Sequence, residues 1–466
     1  MIKLPARHLL AVSITFALST TAHAAGFALG SQAGSGHGNA FAGAAVTIED
    51  ASAVWFNPAG MTELTGNNLS VAGHVIAPKA KFTDKGSWVN PALTGGNIDL
   101  AIETLTGRND DGGNPAPIPN AYITRSFGEQ LSAGIGINVP FGLGTKYEED
   151  WIGRYNALES AIQTININPS IAYKLNDQWS VGAGANVQYM HVELQSAIDS
   201  SATCRSIAAA ANNGDLLAQC LARLPTLSNA ATDSKATISG SDVSLGFNAG
   251  VLYKHDDKTR LGLSYRSKID HNLEGDVKYD INAGLQPIIA ATGLTRFNNA
   301  DVVAEANLPS TVSMSVGHKL NDRTELLADF SRTNWSSFQS LTVKKADDGS
   351  LVTDVPQKWK DVNRFAVGAN YQYNDRIKLR GGVAVDKTPV PSVKLRTPRT
   401  PDTDRTWLSV GGNYTLNKTM SIDLGYTHIF MDETPIDNTS TDNGYAIRGV
   451  YDSSADIISA QFNMSF

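Results

Sequence analysis

The pattern that decides the fold is clearest in the stretch Trp179-Ser180-Val181-Gly182-Ala183-Gly184-Ala185-Asn186-Val187-Gln188-Tyr189. Apolar and aromatic residues alternate there with small or polar residues, so an extended chain has one apolar face and one polar face. The stretch from Leu131 to Val139 repeats the alternation. Both stretches predict strands, because successive side chains of a strand point to opposite faces.

Segments of this kind recur along most of the chain, and we count fourteen. They span residues 68–82, 116–127, 130–141, 164–174, 178–195, 240–254, 259–275, 307–319, 323–345, 352–374, 376–386, 405–416, 419–431 and 456–466. Many are longer than the usual strand of about 5–6 residues. A tilted strand of about 9–11 residues crosses a bilayer, so the lengths favour membrane strands.

The connections alternate between short turns and long loops. Short turns are Gly128-Glu129, Leu175-Asn176-Asp177, His255-Asp256-Asp257, Asn321-Asp322, Asn374-Asp375 and Asn417-Lys418. Long connections lie near 83–115, 142–163, 196–239, 276–306, 387–404 and 432–455, with one short outer turn near 346–351. Short turns at one rim and long loops at the other are typical of outer-membrane barrels. We therefore predict an all-β fold, a fourteen-stranded antiparallel transmembrane β-barrel.

A soluble β-sandwich or a solenoid is the alternative fold. The solvent-facing side of a sandwich would carry more charged residues than these segments do, since their polar faces consist of Ser, Gly and Asn. A solenoid would show a repeat of fixed length, and the sequence has none.

Composition excludes other classes of protein. The chain has 466 residues, of which 42% are hydrophobic and 18% charged, with a net charge of −7. A negative chain lacks the basic surface that nucleic acid requires. No stretch after residue 24 approaches the roughly 18 apolar residues of a membrane helix.

The two ends of the sequence indicate export to the outer membrane of a Gram-negative bacterium. Lys3 and Arg7 precede an apolar run, and Ala22-His23-Ala24 has the small-x-small pattern of a cleavage site. We interpret residues 1–24 as a secretory signal peptide. The last strand ends in Phe466, and a terminal aromatic residue resembles the signal that the outer-membrane assembly machinery reads.

Cys204 and Cys220 are the only cysteines, and 16 positions separate them. An exported protein meets an oxidising compartment, so we predict a disulfide between them. Two cysteines without nearby histidine are too few for a zinc site. We therefore expect neither a metal nor a cofactor.

Residues 25–66 precede the first strand and do not alternate. They are rich in Gly and Ala and end in Trp55-Phe56-Asn57-Pro58-Ala59-Gly60-Met61. A non-strand segment before a barrel can plug its lumen, although Asn-Pro-Ala-Gly alone is only a turn signal. We divide the exported chain into this hatch and a barrel with extracellular loops over residues 67–466.

Several motifs together resemble the long-chain fatty-acid outer-membrane transporters, the FadL family, which includes TodX-like transporters of hydrophobic compounds. They are Ala25-Gly26-Phe27, Gly38-Asn39-Ala40-Phe41-Ala42-Gly43, Asn57-Pro58-Ala59, Ser264-Tyr265-Arg266-Ser267, Asn307-Leu308-Pro309, Asn334-Trp335-Ser336-Ser337-Phe338 and Thr388-Pro389-Val390-Pro391. The resemblance implies a monomeric barrel in outer-membrane lipid and lipopolysaccharide that captures hydrophobic molecules from outside. It also implies a hatch whose gate residues are Phe27, Asn57, Pro58 and Ala59.

Two outer loops carry apolar residues that suit ligand capture. The candidates are Ile207, Leu216, Leu217 and Leu221 in loop 196–239, and Leu285, Ile288 and Ile289 in loop 276–306. The alternative is that these side chains only form the core of folded loops.

The resemblance places a lateral opening in the barrel wall at Ala116, Val139 and Pro140, where the family has an inward kink of the third strand. Proline lacks the N–H that a strand ladder needs, so prolines in neighbouring strands weaken their pairing. The alternative is that these prolines only end two strands.

A fatty acid would need a cationic partner for its carboxylate. The candidates are His191, Lys358, Lys378 and Arg380. The family's basic residues after the fifth strand have no exact match, since Met190 and Ser196 lie nearby instead. Uncharged aromatic or aliphatic hydrocarbons therefore remain alternative ligands.

Two other functional classes are alternatives to a transporter. A barrel enzyme such as a lipase is the first, but the chain has no G-x-S-x-G, H-E-x-x-H, P-loop or G-x-G-x-x-G motif. A general porin is the second, and it would leave residues 25–66 without a role.

Overall fold

The computed structural model describes residues 26–439 and 444–466. The predicted signal peptide, residues 1–24, lies outside the described residues. All strands belong to one antiparallel sheet, and the first strand pairs with the last from Asn68↔Ser465 to Asp84↔Gly449. This pairing closes the sheet into a barrel, and the predicted fourteen-stranded fold is confirmed.

Each predicted segment corresponds to one strand of the barrel, and six of the fourteen strands are interrupted. The strands are β1 (Asn67–Asp84), β2 (Ala116–Phe127), β3 (Leu131–Asn138 and Gly142–Lys146), β4 (Glu159–Lys174), β5 (Trp179–Ile198), β6 (Ser234–Lys254), β7 (Thr259–Arg266 and Ile269–Asp280), β8 (Ala300–Leu308 and Thr311–Lys319), β9 (Thr324–Thr333 and Ser340–Lys345), β10 (Leu351–Pro356 and Val362–Gln372), β11 (Ile377–Asp386), β12 (Arg405–Thr415), β13 (Met420–Met431 and Thr434–Asn438) and β14 (Ile447–Ser465).

The alternation of the sequence is the alternation between the two faces of the wall. In β5, Trp179 and Val187 are exposed on the outer face, whereas Ser180 and Asn186 are buried inside. An apolar outer face suits lipid, and a small or polar inner face leaves room for other chain segments.

Short turns on one rim are built by Asn or Asp side chains that bond the backbone two or three residues on. Asn176 Oδ1 accepts hydrogen bonds from the N–H groups of Gln178 and Trp179, both at 2.9 Å. The same bonds recur at Asp256, Asn321, Asn374 and Asn417. This turn chemistry explains why the short connections could be located from sequence.

The strands extend further into the outer loops than the sequence indicated. β14 begins at Ile447 instead of residue 456, and β6 begins at Ser234 instead of residue 240. In the extended part of the wall, Lys79 of β1 forms an exposed ion pair with Asp452 of β14 at 2.6 Å. Charged residues on the outer face are compatible with strands that extend above the bilayer. They interrupt the alternation of apolar and polar residues on which the sequence prediction depended.

Helices are short and lie in the N-terminal segment and the outer loops. They are α1 (Gly34–His37), α2 (Ala53–Phe56), α3 (Ile98–Thr104), α4 (Ser200–Ala210), α5 (Gly214–Arg223) and α6 (Gln286–Thr292), with 3-10 turns at Pro58–Glu63, Pro91–Thr94, Ala230–Thr232 and Trp335–Ser337. Within the described ranges, no helix is long and apolar enough to cross a membrane.

Candidate functional site

The N-terminal segment, residues 26–66, packs against the inner face of the barrel. Asn57 is fully buried, and its Nδ2 donates to Ala45 O at 2.8 Å and to Val251 O of β6 at 3.0 Å. Its Oδ1 accepts from the N–H of Ala59 at 3.1 Å and begins the turn that Pro58 continues. One side chain thus links the segment to itself and to the wall.

Two glycines of the wall make this close approach possible. A Cβ on Gly250 would lie 2.0 Å from Asn57 Oδ1, and a Cβ on Gly182 would lie 2.5 Å from Ala59 N. Any larger residue at either position would push the Asn57-Pro58-Ala59 turn away from the wall.

An ion network whose buried centre is the pair Arg380 and Asp423 fixes the same part of the segment. Glu49 accepts from Lys378 at 2.8 Å and from Arg380 at 2.7 Å, and Arg380 also pairs with Asp423. Burial alone would raise the pKa of Glu49, but Arg380 and Lys378 outweigh it and lower that pKa to about 2. Two of the four predicted carboxylate-binding residues therefore already hold a carboxylate of the protein.

The other two basic candidates lie elsewhere. His191 of β5 alternates with the buried Met190 and Val192, so it faces the opposite side of the wall, with Nδ1 2.9 Å from Ser241 Oγ. Lys358 is exposed between the two halves of β10. The structure does not bring these four candidates together.

The wall is broken at residues 139–141, which separate the two halves of β3. β2 pairs with β3 only from Ala121 onward, where Ala121 is the partner of Ile137. Residues 116–120 pair with β1 on their other side, up to Ala116 opposite Ile76. Ala116, Val139 and Pro140 therefore all lie at the discontinuity between β2 and β3.

Residues 27–32, which we call the N-terminal arm, lie along this break. The N–H of Leu29 donates to Pro140 O at 2.9 Å, and the N–H of Gly142 donates to Phe27 O at 3.0 Å. Gln32 Nε2 donates to Val139 O at 2.7 Å. The arm supplies backbone and side-chain partners where the wall lacks a regular ladder.

The arm also contacts the strand on the other side of the break. Asn120 Nδ2 of β2 donates to Ser31 O at 2.9 Å, and the hydroxyl of Tyr122 donates to Gln32 O at 2.8 Å. The arm therefore bridges β2 and β3 from the inside.

Phe27, at the start of the arm, sits in an aromatic cluster. Its ring centre lies 4.7 Å from that of Trp335, 5.5 Å from those of Phe338 and Trp359, and 6.1 Å from that of Phe141. Phe141 belongs to the break, so the cluster links the arm, the break and the outer part of the barrel. A hydrophobic ligand that replaced Phe27 would contact the same aromatic rings.

A cavity of about 210 Å³ lies between the N-terminal segment and the wall, next to the break. The arm, Phe41, Trp55 and Phe56 line it from the segment, and Pro140 and Phe141 line it from the break. Two cations of the wall also line it, Arg266 and Arg364.

Arg266 is not among the site residues predicted from the sequence, although it belongs to the motif Ser264-Tyr265-Arg266-Ser267. The signal that could have found it is strand parity. In β7 the leucines 261 and 263 are exposed to the outside, so positions 262, 264 and 266 face the interior. An arginine on that face was therefore a candidate for the lumen.

The outer loops after β5 and β7 share one apolar core. A disulfide joins Cys204 to Cys220, whose Cα atoms are 5.7 Å apart. Ile207, Leu216, Leu285 and Ile288 are buried in this core and Ile289 packs partly buried against it, whereas Leu217 and Leu221 are exposed. The structure therefore brings the loop candidates together, with most of them inside the loop core and two on its surface.

Arg154 ties other outer loops into one unit. It is fully buried, forms an ion pair with Asp233 at 2.7 Å, and donates to Ser228 O at 2.8 Å and to Tyr155 Oη at 2.8 Å. Burial raises the pKa of Asp233 to about 6, and the hydrogen bond from Arg154 only partly offsets this. Arg154 thus links the loop after β3 to the loop after β5.

Comparisons with known proteins show which family and which solved structures this chain resembles. The model of the family described as outer membrane protein transport protein (OMPP1/FadL/TodX) matches residues 15–466. The long-chain fatty acid transport protein of Escherichia coli O6:H1 is 31% identical over 432 residues, 90% of each chain.

Two solved structures share the fold. A FadL homologue of Pseudomonas aeruginosa superposes with a TM-score of 0.81 at 26% identity, covering 95% of this chain and all of that one. The toluene transporter TodX of Pseudomonas putida superposes with a TM-score of 0.63 at 17% identity, covering 91% of this chain and 97% of that one.

Proposed function

This chain belongs to the outer membrane protein transport protein (OMPP1/FadL/TodX) family, and we propose on that basis that it takes up long-chain fatty acids or similar hydrophobic compounds across the outer membrane. The 31% identity to a long-chain fatty acid transport protein over nine-tenths of both chains supports fatty acids first. Hydrocarbons without a charged end are the second candidate.

The route that we propose begins at the outer loops and ends in the wall. A hydrophobic solute binds at the rim, where Leu217 and Leu221 are exposed, and then reaches the aromatic cluster around Phe27. An apolar path of this kind favours solutes that gain free energy when they leave water. A water-filled pore would offer them no such gain.

The single observation that carries the proposal is the position of the N-terminal arm on the break in β3. Only a few hydrogen bonds hold Leu29 and Gln32 to residues 139–142. We propose that ligand binding displaces the arm and that the ligand then leaves sideways between β2 and β3. The arm is thus the moving part of the hatch.

Lateral exit is tested by filling the break. We expect Val139→Trp to abolish most uptake of a radiolabelled fatty acid by cells, because a bulky ring at residue 139 would occupy the discontinuity. The control is Ile135→Trp, since Ile135 is on the same strand, faces lipid and is paired on both sides. Normal uptake by Val139→Trp at matched outer-membrane levels would contradict lateral exit.

A lumenal route to the periplasm is the competing path for the ligand. It would tolerate Val139→Trp but would be blocked by cross-linking the N-terminal segment to the wall far from the break. The same uptake assay on both kinds of variant separates the two paths.

We further propose that the protein is a transporter without catalytic activity and acts as a monomer in lipid and lipopolysaccharide, after insertion by the outer-membrane assembly machinery. The relatives named above are described by transport, which supports this choice over an outer-membrane lipase. Purified protein should release no product from a chromogenic ester. Turnover that survives repurification would favour the enzyme.

A further inference from the structure

We propose that Arg266 binds the carboxylate of a fatty acid in the cavity between the N-terminal segment and the barrel wall. This inference rests on the proposed uptake of hydrophobic compounds and adds the residue that distinguishes an acid from a hydrocarbon. Nothing in the comparisons assigns a role to this arginine.

The guanidinium of Arg266 is held in a fixed plane at the cavity. Its Cζ lies 3.4 Å from the ring centre of Trp55, so the group is stacked on the indole. It donates to Asn186 Oδ1 at 2.5 Å and to Trp55 O at 2.8 Å. These contacts orient the group without neutralising it, because both acceptors are uncharged.

The charge of Arg266 has no acidic partner. Among the residues that the structure describes, no Asp or Glu lies within 4.0 Å of its guanidinium nitrogens. Arginine stays protonated in proteins. Its two hydrogen bonds engage two of the five N–H donors, so three remain for a ligand.

Two other cations of the wall are paired with acids of the protein. Arg380 pairs with Glu49 and Asp423, and Lys378 pairs with Glu49. A buried charge that lacks a counter-charge is costly, so an anion from outside would bind favourably at Arg266. A carboxylate suits a guanidinium best, because two parallel hydrogen bonds can form.

Arg364 lines the same cavity but is a weaker candidate. Asp386 is its register partner on β11, and Asp329 also lines the cavity. Arg364 also donates to Ala40 O at 2.6 Å. A second anion would therefore meet negative charge near Arg364 that is not present beside Arg266.

The rest of the cavity suits an acyl chain. Leu29, Phe41, Phe56 and Phe141 give it apolar walls that lead from Arg266 toward the break. Its volume of about 210 Å³ is below the ~300–1,000 Å³ of a complete ligand pocket. It therefore accommodates the acid end and the first part of the chain, and displacement of the arm would admit the remainder.

The test measures the preference for an acid over an alcohol of the same length. Binding of hexadecanoate and of hexadecanol to the purified barrel is compared at a pH well above the ordinary pKa of a carboxylic acid. We expect the unmodified protein to prefer the acid by roughly tenfold, which corresponds to about 1.4 kcal/mol. Arg266→Gln should remove this preference.

A second variant tests the charge argument without removing the arginine. Asn186→Asp keeps the shape and the acceptor for Arg266 and supplies the missing counter-charge. It replaces the 3.3 Å hydrogen bond from Asn186 Nδ2 to Asn248 Oδ1 with a contact between two oxygens. We expect this variant also to lose the preference for the acid. Arg323→Gln, in the exposed turn between β8 and β9, is the matched control and should keep it.

Heat-modifiable migration on a detergent gel checks that each variant forms a barrel. A preference for the acid that persists in both Arg266→Gln and Asn186→Asp would overturn the role of Arg266. Equal binding of acid and alcohol by the unmodified protein would overturn it and leave hydrophobic uptake standing. Binding of neither ligand would contradict the proposed function as well.

Discussion

Two regions of the N-terminal segment are both buried in the barrel, yet they are held in different ways. Residues 45–61, which we call the anchor region, bind the wall through Asn57 and through the ion network of Glu49. The arm, residues 27–32, carries no charge and binds at a break in the wall through uncharged hydrogen bonds and the ring of Phe27. The anchor region cannot leave without breaking the ion pairs of Glu49 with Lys378 and Arg380, whereas the arm has no charged residue.

This difference indicates how the N-terminal segment can stay attached to the barrel through its anchor region while its arm moves and opens the wall. A hatch that moved as a whole would break the ion pairs of Glu49 with Lys378 and Arg380. This costs free energy, because the buried Arg380 would lose part of its counter-charge in a low dielectric. Movement of the arm alone breaks a few hydrogen bonds, each with a net contribution of about 1 kcal/mol, and withdraws Phe27 from its aromatic cluster, where a hydrophobic ligand can take its place. The predictions below test whether the two regions are as unequal as their contacts imply.

The largest effect should come from removing the centre of the ion network. Arg380→Met leaves Asp423 and Glu49 without their shared cation, and we expect it to lower the free energy of unfolding by about 3–5 kcal/mol. Urea unfolding in lipid vesicles measures this. Lys79→Met is the control, because its ion pair with Asp452 is exposed and should contribute less than about 1 kcal/mol.

Asn57→Ala should have the next largest effect. It removes the hydrogen bonds to Ala45 O and Val251 O and leaves the N–H of Ala59 without its acceptor. We expect a loss of roughly 2 kcal/mol in the same unfolding experiment. A loss as small as that of Lys79→Met would mean that the turn is not an anchor.

A smaller and more local effect is expected in the arm. Gln32→Ala removes the bonds to Leu29 O and Val139 O, and we expect it to destabilise the arm by about 1 kcal/mol. Amide exchange at Leu29 and Gly142 should then rise about fivefold. Exchange in residues 45–61 should not change. If both regions exchange faster together, the segment moves as one body.

The smallest effect near neutral pH concerns the protonation of Glu49. Its folded pKa, about 2, lies below the ordinary value of 4.5, so its ion pairs stabilise the fold fully above that ordinary value. The contribution is lost as the pH falls through about 2. The difference in unfolding free energy between the protein and Glu49→Gln should therefore stay constant from neutral to mildly acidic pH. It should shrink only below pH 4.5.

The barrel could be predicted from sequence because its physical signal is local. Alternation in β5 and the Asn and Asp turns each follow from neighbouring residues. The outer ends of β6 and β14 could not be placed, because above the bilayer their outward side chains are no longer oily. Strand extension there depends on pairing partners that lie far away in sequence.

A break in the barrel wall could be predicted from the sequence, because a proline marks it. The roles of the lumenal cations could not, because they depend on which cations pair with acids. Pro140 predicts a discontinuity from the residues alone, since proline cannot complete a ladder, whereas only the family resemblance points to Ala116 and Val139. That Lys378 and Arg380 are occupied by Glu49 depends on a contact across more than 300 residues, with Glu49 on a segment without strand pattern. Only the folded structure shows that Lys378 and Arg380 are paired with acids while Arg266 is not.

The most direct test of the account locks each region in turn. With Cys204 and Cys220 replaced by Ser, one engineered cysteine pair joins Ala28 to Phe141, which form an isolated bridge between arm and break. A second pair joins Ala51 to Ser70, whose Oγ accepts the Ala51 N–H at 3.1 Å. Fatty-acid uptake is measured with each pair oxidised and reduced. We predict that oxidation of the 28–141 pair stops uptake reversibly and that oxidation of the 51–70 pair does not. Unimpaired uptake with the arm locked to the break would contradict the central claim.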